Sequence, residues 1–298
     1  MSENVAMPRK TRDIHNHHMD STVWDDFIFR DGDVVVATYG KSGTTWTQQI
    51  VGQILLGPDP SLATAEISPW VDLRVPPRHE KLPALEAQTH RRFVKTHLPV
   101  DALRFSEKAR YIFIGRDGRD VIWSMYNHHA NANALWYEML NDTPGRVGPS
   151  IEPPPEDICL YFREWLAGDG YPFWPFWENI RSWWNIRHLP NVMTLHFAEL
   201  KRDPASRMRA IAEFLGVGVK AEDWEKIELY CSFDWMKLNA TKATPLGGAF
   251  WDEGAQTFIN KGVNGRWQEV LPAEDSAAYE ARAVAELGEE CAGWLAQK

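Results

Sequence analysis

Along the chain, runs that are apolar at every position alternate with stretches whose apolar residues recur every three or four places. Asp33–Thr38, DVVVAT, is β-branched and apolar on both faces, the pattern of a strand buried on both sides in a parallel sheet. The following TTWTQQIVGQILL sets Trp46, Ile50, Val51, Ile54 and Leu55 at helical spacing, so strand, turn and helix follow one another. RRFVKT (91–96), ARYIFIGR (109–116) and NVMTLHF (191–197) read as further strands. GRDVIWSMYNHHA opens a helix near Gly118, and PFWENIRSWWNIRH reads as another. DPASRMRAIAEFLGV carries its own punctuation: Asp203 as N-cap, Pro204 at the first helical position and Gly216 at the end. The alternation predicts an α/β fold, a mostly parallel central sheet with helices on both faces. No internal repeat or linker divides residues 1–298, so a single domain is expected.

Three segments break the pattern. Residues 1–21 read as an irregular arm containing HNHH, His15 to His18; a metal-binding reading of it lacks any supporting cysteine or carboxylate cluster. Residues 141–157, rich in Pro and Gly, fit a lid and a plain surface excursion equally. Residues 238–265 form a long Gly-rich stretch that reads as an active-site lid loop.

Charge and composition narrow the partners. A net charge of −9 argues against a duplex nucleic acid, whose phosphates need a basic face. An anionic small ligand would need a local basic pocket. Cys159, Cys231 and Cys291 are odd in number and far apart, which suits neither a disulfide framework nor a metal site and fits a reducing compartment. MSENVAMPRKTRD lacks the apolar stretch of a secretion signal, and no apolar run approaches a membrane span. The expectation is a cytoplasmic protein with no membrane partner. The 15 tryptophans serve packing, and some can line a pocket for an apolar substrate.

TYGKSGTTW, Thr38–Trp46, lies at the strand–turn–helix junction, where backbone N–H groups and the helix dipole favour an anion. It departs from the nucleotide loop G-x-x-x-x-G-K-[ST] because the leading glycine is Val35. With FVKTHLP (93–99), YIFIGRDGRDVIWSMYNHH and FINKGVNGRW, and with NVMTLHFAELKRDP and YCSFDWMKLN, the chain resembles the cytosolic, PAPS-dependent sulfotransferase family, as a bacterial-type member, from about Trp24 to Trp267.

The resemblance implies transfer of a sulfuryl group from 3′-phosphoadenosine 5′-phosphosulfate (PAPS), leaving PAP, with no metal. It assigns the loop to the 5′-phosphosulfate: Lys41 on the bridging oxygen, Ser42, Gly43, Thr44 and Thr45 as donors, Trp46 against adenine. His97 is implied as general base, a role that suits an imidazole with an unperturbed pKa near 6.5, and Lys95 as stabiliser of the sulfuryl oxygens. Arg116 and Ser124 match contacts to the 3′-phosphate. His196 and Phe233 fall near adenine, and Asn260, Lys261 and Gly262 supply the last donors. Asn260 stands where the family has Arg, His196 where it has Tyr, and Cys231 where it has Thr. Arg119 and Asp120 read as a helix-start charge pair. The family's dimer motif is not matched, with Gln268, Pro272 and Ala273 at its positions. The implied acceptor is a small apolar or aromatic hydroxyl compound or an amine. Phe27, Trp70, Val71, His128, His129 and the 141–157 segment are candidates for its pocket. Two alternatives stand beside this reading. A kinase-like phosphotransferase would want the missing glycine and a carboxylate for Mg²⁺. A nucleotide-binding protein without catalysis would not need Lys41 and His97.

Overall fold

The computed structural model describes residues 7–297. Four parallel strands, β1 (Val34–Thr38), β2 (Phe93–Thr96), β3 (Arg110–Gly115) and β4 (Val192–His196), form one sheet in the order β2-β1-β3-β4. Every residue of β1 is buried because the sheet is covered on both faces. Val34 and Val36 pack with Ile50, Ile54, Met208 and Ile211 on one side. Val35 and Ala37 pack with the tryptophan-rich core of Trp24, Trp165, Trp177 and Trp183 on the other. Alternate side chains of an extended strand point to opposite faces, so a doubly covered strand must be apolar throughout.

The helices begin and end where their termini are chemically satisfied. Helix α1 (Thr44–Leu56) starts from Gly43. Helix α2 (Gly118–Ala130) is capped by Asp117, whose side chain accepts from Arg119 N–H. Helix α3 (Trp177–Asn185) lies within PFWENIRSWWNIRH. Helix α4 (Pro204–Leu215) has Asp203 accepting from Ser206 N–H and stops at Gly216, φ +67°. A buried ion pair, Arg92 Nη2 to Asp33 Oδ2 at 2.6 Å, ties β1 and β2 at the end of the sheet away from their carboxyl termini.

Helix α5 (Ala273–Leu295) has no counterpart in the sequence reading. Its signal was present: Tyr279, Ala283 and Leu287 recur at four-residue spacing after Pro272. Gly288, φ +76°, breaks its regular geometry. The helix closes over β3 and α2. Tyr279 Oη accepts from Gly118 N–H at 2.8 Å. A Cβ on Gly115 would fall 2.2 Å from the Trp294 ring, so only glycine fits there.

Two irregular segments are more ordered than their sequence suggests. Residues 238–265, expected as a lid loop, contain helical turns at Ala240–Ala243, Pro245–Gly248 and Ala255–Phe258. The arm from residue 7 to 21 is irregular but pinned: Met19 bridges Leu73 and Asp20 N–H donates to Asp72 O at 2.9 Å. Among the described residues no helix is long and apolar enough to cross a membrane, no group of three or more side chains suits a metal ion, and all three cysteines are free.

Candidate active site

The strand order reverses direction between β1 and β3, and ligand crevices of open α/β sheets lie at such switch points, beyond the strand carboxyl ends. The register brings Ala37 level with Thr96, Thr38 with Ile114 and Gly115 with His196. The segments leaving β1, β2 and β3 therefore emerge side by side, carrying Lys41, His97 and Arg116 into one cavity of about 350 Å³.

The turn after β1 is built to approach a ligand closely. Lys41 adopts φ +63° and Gly43 φ +105°, and a Cβ on Gly43 would fall 2.7 Å from the Phe197 ring. Thr38 and Thr44 hydroxyls bond at 2.6 Å across the turn. Lys41, Gly43, Thr44, Thr45 and Trp46 line the cavity. Ser42 does not: it is fully buried, its N–H donates to Tyr39 O at 3.3 Å, and its Oγ has no partner among the described residues.

Three cations converge there. Burial, reinforced by like charge from Lys95 and Arg116, pulls the Lys41 ammonium down to about 7. Burial takes Lys95 to about 8 and Arg116 to about 10. Arg116 is held by neutral groups, donating to Lys41 O at 2.9 Å and to Asn264 Oδ1 at 3.0 Å, with its plane 4.3 Å over Phe197. Among the described residues none of the three has a carboxylate within ion-pair distance. Buried cations without counterions are costly unless an anion joins them, so this cluster and the glycine cradle fit a polyanionic donor such as PAPS.

His97 sits just past β2. Its Nδ1 lies 2.8 Å from the Thr38 carbonyl oxygen, and a carbonyl can only accept, so Nδ1 carries the proton and Nε2 the lone pair. Burial, then the charges of Lys95 and Lys41, lowers this imidazole to about 3, keeping it neutral. The backbone around it is fixed by Asp72, which accepts from His97 N–H at 3.3 Å and from Trp70 Nε1 at 2.6 Å, and by Asn179 Nδ2, which donates to His97 O at 2.9 Å.

Other predicted residues divide cleanly. Ser124, Phe233, Asn260, Lys261 and Gly262 line the cavity. Gly262 adopts φ +60°, and a Cβ there would fall 2.6 Å from the Phe233 ring. His196 does not line it. Its Nε2 lies 3.1 Å from Leu295 O and its Nδ1 accepts from Ala198 N–H at 3.2 Å, so it is spent within the core beneath α5. The next residue, Phe197, takes the cavity position, together with Lys201. Arg119 pairs with Asp117 and Glu280 rather than Asp120. Asp120 instead accepts from Gly265 N–H at 2.7 Å, anchoring the segment that carries Asn260 to Gly262.

The far side of the cavity is aromatic. Trp70, Trp136, Phe173, Trp174, Phe250, Trp251 and Phe258 line it, with His18 and His128. His97 lies between Trp70, 4.6 Å away, and Trp174, 5.7 Å away. Phe27, Val71 and His129 are buried outside the wall, and no residue of 141–157 reaches it. Trp70 and His128 therefore remain from the sequence candidates, while Pro245, Phe250, Trp251 and residues 258–263 line the cavity from the 238–265 segment.

A buried, counterion-poor basic cradle beside a neutral imidazole and an aromatic wall defines a group-transfer enzyme for an anionic nucleotide donor. The chain belongs to the sulfotransferase family: the family's sulfotransferase domain matches residues 31–289. It is a PAPS-dependent sulfotransferase. A glycolipid sulfotransferase of Mycobacterium bovis is 30% identical, covering 93% of this chain and 91% of that protein. Sulfotransferase 1B1 of mouse is 30% identical over 86% of this chain and 83% of its own length. The crystal structure of mouse sulfotransferase SULT7A1 complexed with PAP shares the fold, with TM-score 0.71 and 23% identity over 93% of this chain and 94% of that one.

Proposed function

We propose that this enzyme transfers the sulfuryl group of PAPS to a hydroxyl, or an amine, of a small acceptor with an apolar or aromatic frame, with His97 as general base. The carrying observation is the 2.8 Å contact from His97 Nδ1 to Thr38 O, which leaves the Nε2 lone pair on a ring placed between the cationic cradle and the aromatic wall. The acceptor O–H gives its proton to that nitrogen while its oxygen attacks sulfur. Lys41 and Lys95 balance charge on the departing phosphate and the sulfuryl oxygens. Arg116 and Ser124 hold the 3′-phosphate. Trp46, Phe197 and Phe233 enclose the base, with Trp46 steadied by its 2.7 Å bond to Cys231 O, and Asn260, Lys261 and Gly262 close the phosphate end. The neighbouring 238–265 segment acts as the cover, clamped by Lys237, whose ammonium binds the carbonyls of Gln256, Ile259 and Asn260. The free cysteines suit a cytoplasmic setting.

His97→Gln tests the central role. Turnover should fall by about 10² to 10⁴ while PAP still binds. Loss of PAP binding with unchanged turnover per bound donor would remove the base assignment.

A further inference from the structure

The HNHH motif of the arm has no part in the transfer scheme, yet it reaches the cavity. His17 and His18 are 6% and 4% exposed. Arg74 N–H donates to His18 O at 2.7 Å, and Asn16 Oδ1 accepts from His18 N–H at 2.8 Å. The two rings meet Nδ1 to Nδ1 at 2.5 Å, and His17 Nε2 lies 2.7 Å from the Pro172 carbonyl oxygen.

These contacts settle the tautomers. A carbonyl only accepts, so His17 Nε2 carries its proton. Burial holds both imidazoles below their usual range and neutral, and a neutral imidazole has one N–H. His17 Nδ1 is therefore a lone pair, and His18 Nδ1–H must donate to it. His18 Nε2 is left as a lone pair with no hydrogen-bond partner among the described residues, on a ring that lines the cavity. His97 reaches the same state through Thr38 O. Trp70 and Trp174 touch both rings, at 4.6 and 5.7 Å from His97 and 6.1 and 5.6 Å from His18. The slot flanked by Trp70 and Trp174 thus presents the two acceptors of His97 and His18, and an apolar mono-ol satisfies only one of the pair. The His128 ring, whose Nδ1 has no hydrogen-bond partner among the described residues, lies elsewhere on the wall against Trp251 and Phe258.

We propose that His18 determines acceptor specificity, its Nε2 taking a hydrogen bond from a second donor on the acceptor, so that the preferred substrate is a diol on a compact apolar or aromatic frame. The inference rests on the transfer reading above, with His97 serving the reacting hydroxyl. His18 moves no proton in the reaction; it positions the substrate.

The test uses matched pairs on the full chain: 4,4′-dihydroxybiphenyl with 4-phenylphenol, and 2,7-dihydroxynaphthalene with 2-naphthol. The wild-type ratio of kcat/KM, diol over mono-ol and corrected for two equivalent hydroxyls, should be roughly 5- to 150-fold, the span for leaving a buried polar group unpaired. His18→Phe should collapse that ratio towards one, and His18→Gln, whose amide oxygen accepts, should restore part of it. A wild-type ratio of one, or a His18→Phe loss shared by both members, overturns the proposal. If no phenol is sulfated although PAP binds, the transfer reading to phenols fails. Calorimetric binding of the same pairs to the PAP complex then decides His18, since absence of a diol preference overturns its role. Nitrogen-15 NMR of the unmodified protein gives an independent answer: an unprotonated His18 Nε2 is expected, and a proton on it overturns the proposal.

Discussion

Arg116 and Asn264 meet across 148 positions of sequence, guanidinium Nη2 and Nε both donating to the one amide oxygen at 3.0 and 3.2 Å. The contact joins the end of β3 to the 238–265 segment, and it is made with a neutral partner. Arg116 therefore keeps its full charge for an anion while its orientation is fixed.

Asn264→Leu should remove this neutral tether without adding a charge. Leaving part of a buried guanidinium unpaired costs about 1–3 kcal/mol, and each kcal/mol shifts Tm by roughly 2–4 °C or slightly less at this size. Calorimetry should show a lowered Tm whose deficit shrinks when PAP is added. An unaltered Tm would mean that the tether is not formed in solution.

Arg116→Ala should erase the preference for 3′,5′-adenosine bisphosphate over adenosine 5′-phosphate, because a guanidinium can bind a phosphate with paired hydrogen bonds. Competitive binding of the two nucleotides is the readout. A preference that survives would move recognition of the 3′-phosphate to Ser124 and the 260–262 segment.

Lys41, held down to about 7 by burial and by like charges, is only partly protonated in the free enzyme at neutral pH. A polyanion beside it favours the charged form, so PAP binding at pH 7.5 should take up protons. Isothermal titration in two buffers of different ionisation enthalpy measures the number. Lys41→Met should reduce it, and equal uptake in both proteins would discard Lys41 as its source.

Acid should unfold this protein early. His97 lies at about 3 and His129 at about 4, both mainly through burial, and His17, His18 and His128 are lowered too. Below the unfolded value near 6.5 the unfolded chain binds protons that the folded one declines. Stability is therefore retained above that value and falls as pH drops towards the folded values. Each such histidine contributes about 1.4 kcal/mol per pH unit within the window. Urea titrations between pH 7 and 5 should show this slope, and His129→Phe, buried outside the cavity wall, should lessen it by one histidine's share. An unchanged slope would show that His129 does not resist protonation.

Much of the molecule was legible because its determinants are local. DVVVAT could only be a doubly covered strand, and helix α4 shows its Asp-Pro start and glycine stop. The motif order carried the family and placed Lys41, Lys95, His97 and Arg116 as candidates that the fold brings to one cavity, since the loop and the strand ends occupy short contiguous segments. What stayed hidden depends on which way a side chain faces or on distant partners. His196 and Phe197 are adjacent, but His196 ends β4 and caps a helix that begins at Phe197, its ring accepting from Ala198 N–H. Only the packing of Trp294 and Leu295 from α5 sends His196 inward and leaves Phe197 at the cavity. Asp120 was readable as a helix-start charge, but its partner is Gly265 N–H, 145 residues away. The tautomers of His97 and His18 follow from the carbonyls of Thr38 and Pro172, which no spacing rule connects to them. The sequence by itself determined the strand–helix order, the loop and the reaction class, because hydrophobic period and turn chemistry act over a few residues. Tertiary structure alone decided which cations lack counterions, which imidazole nitrogens are left without a hydrogen-bond partner and which aromatic rings line the cavity, because burial and hydrogen bonding are properties of the packed chain.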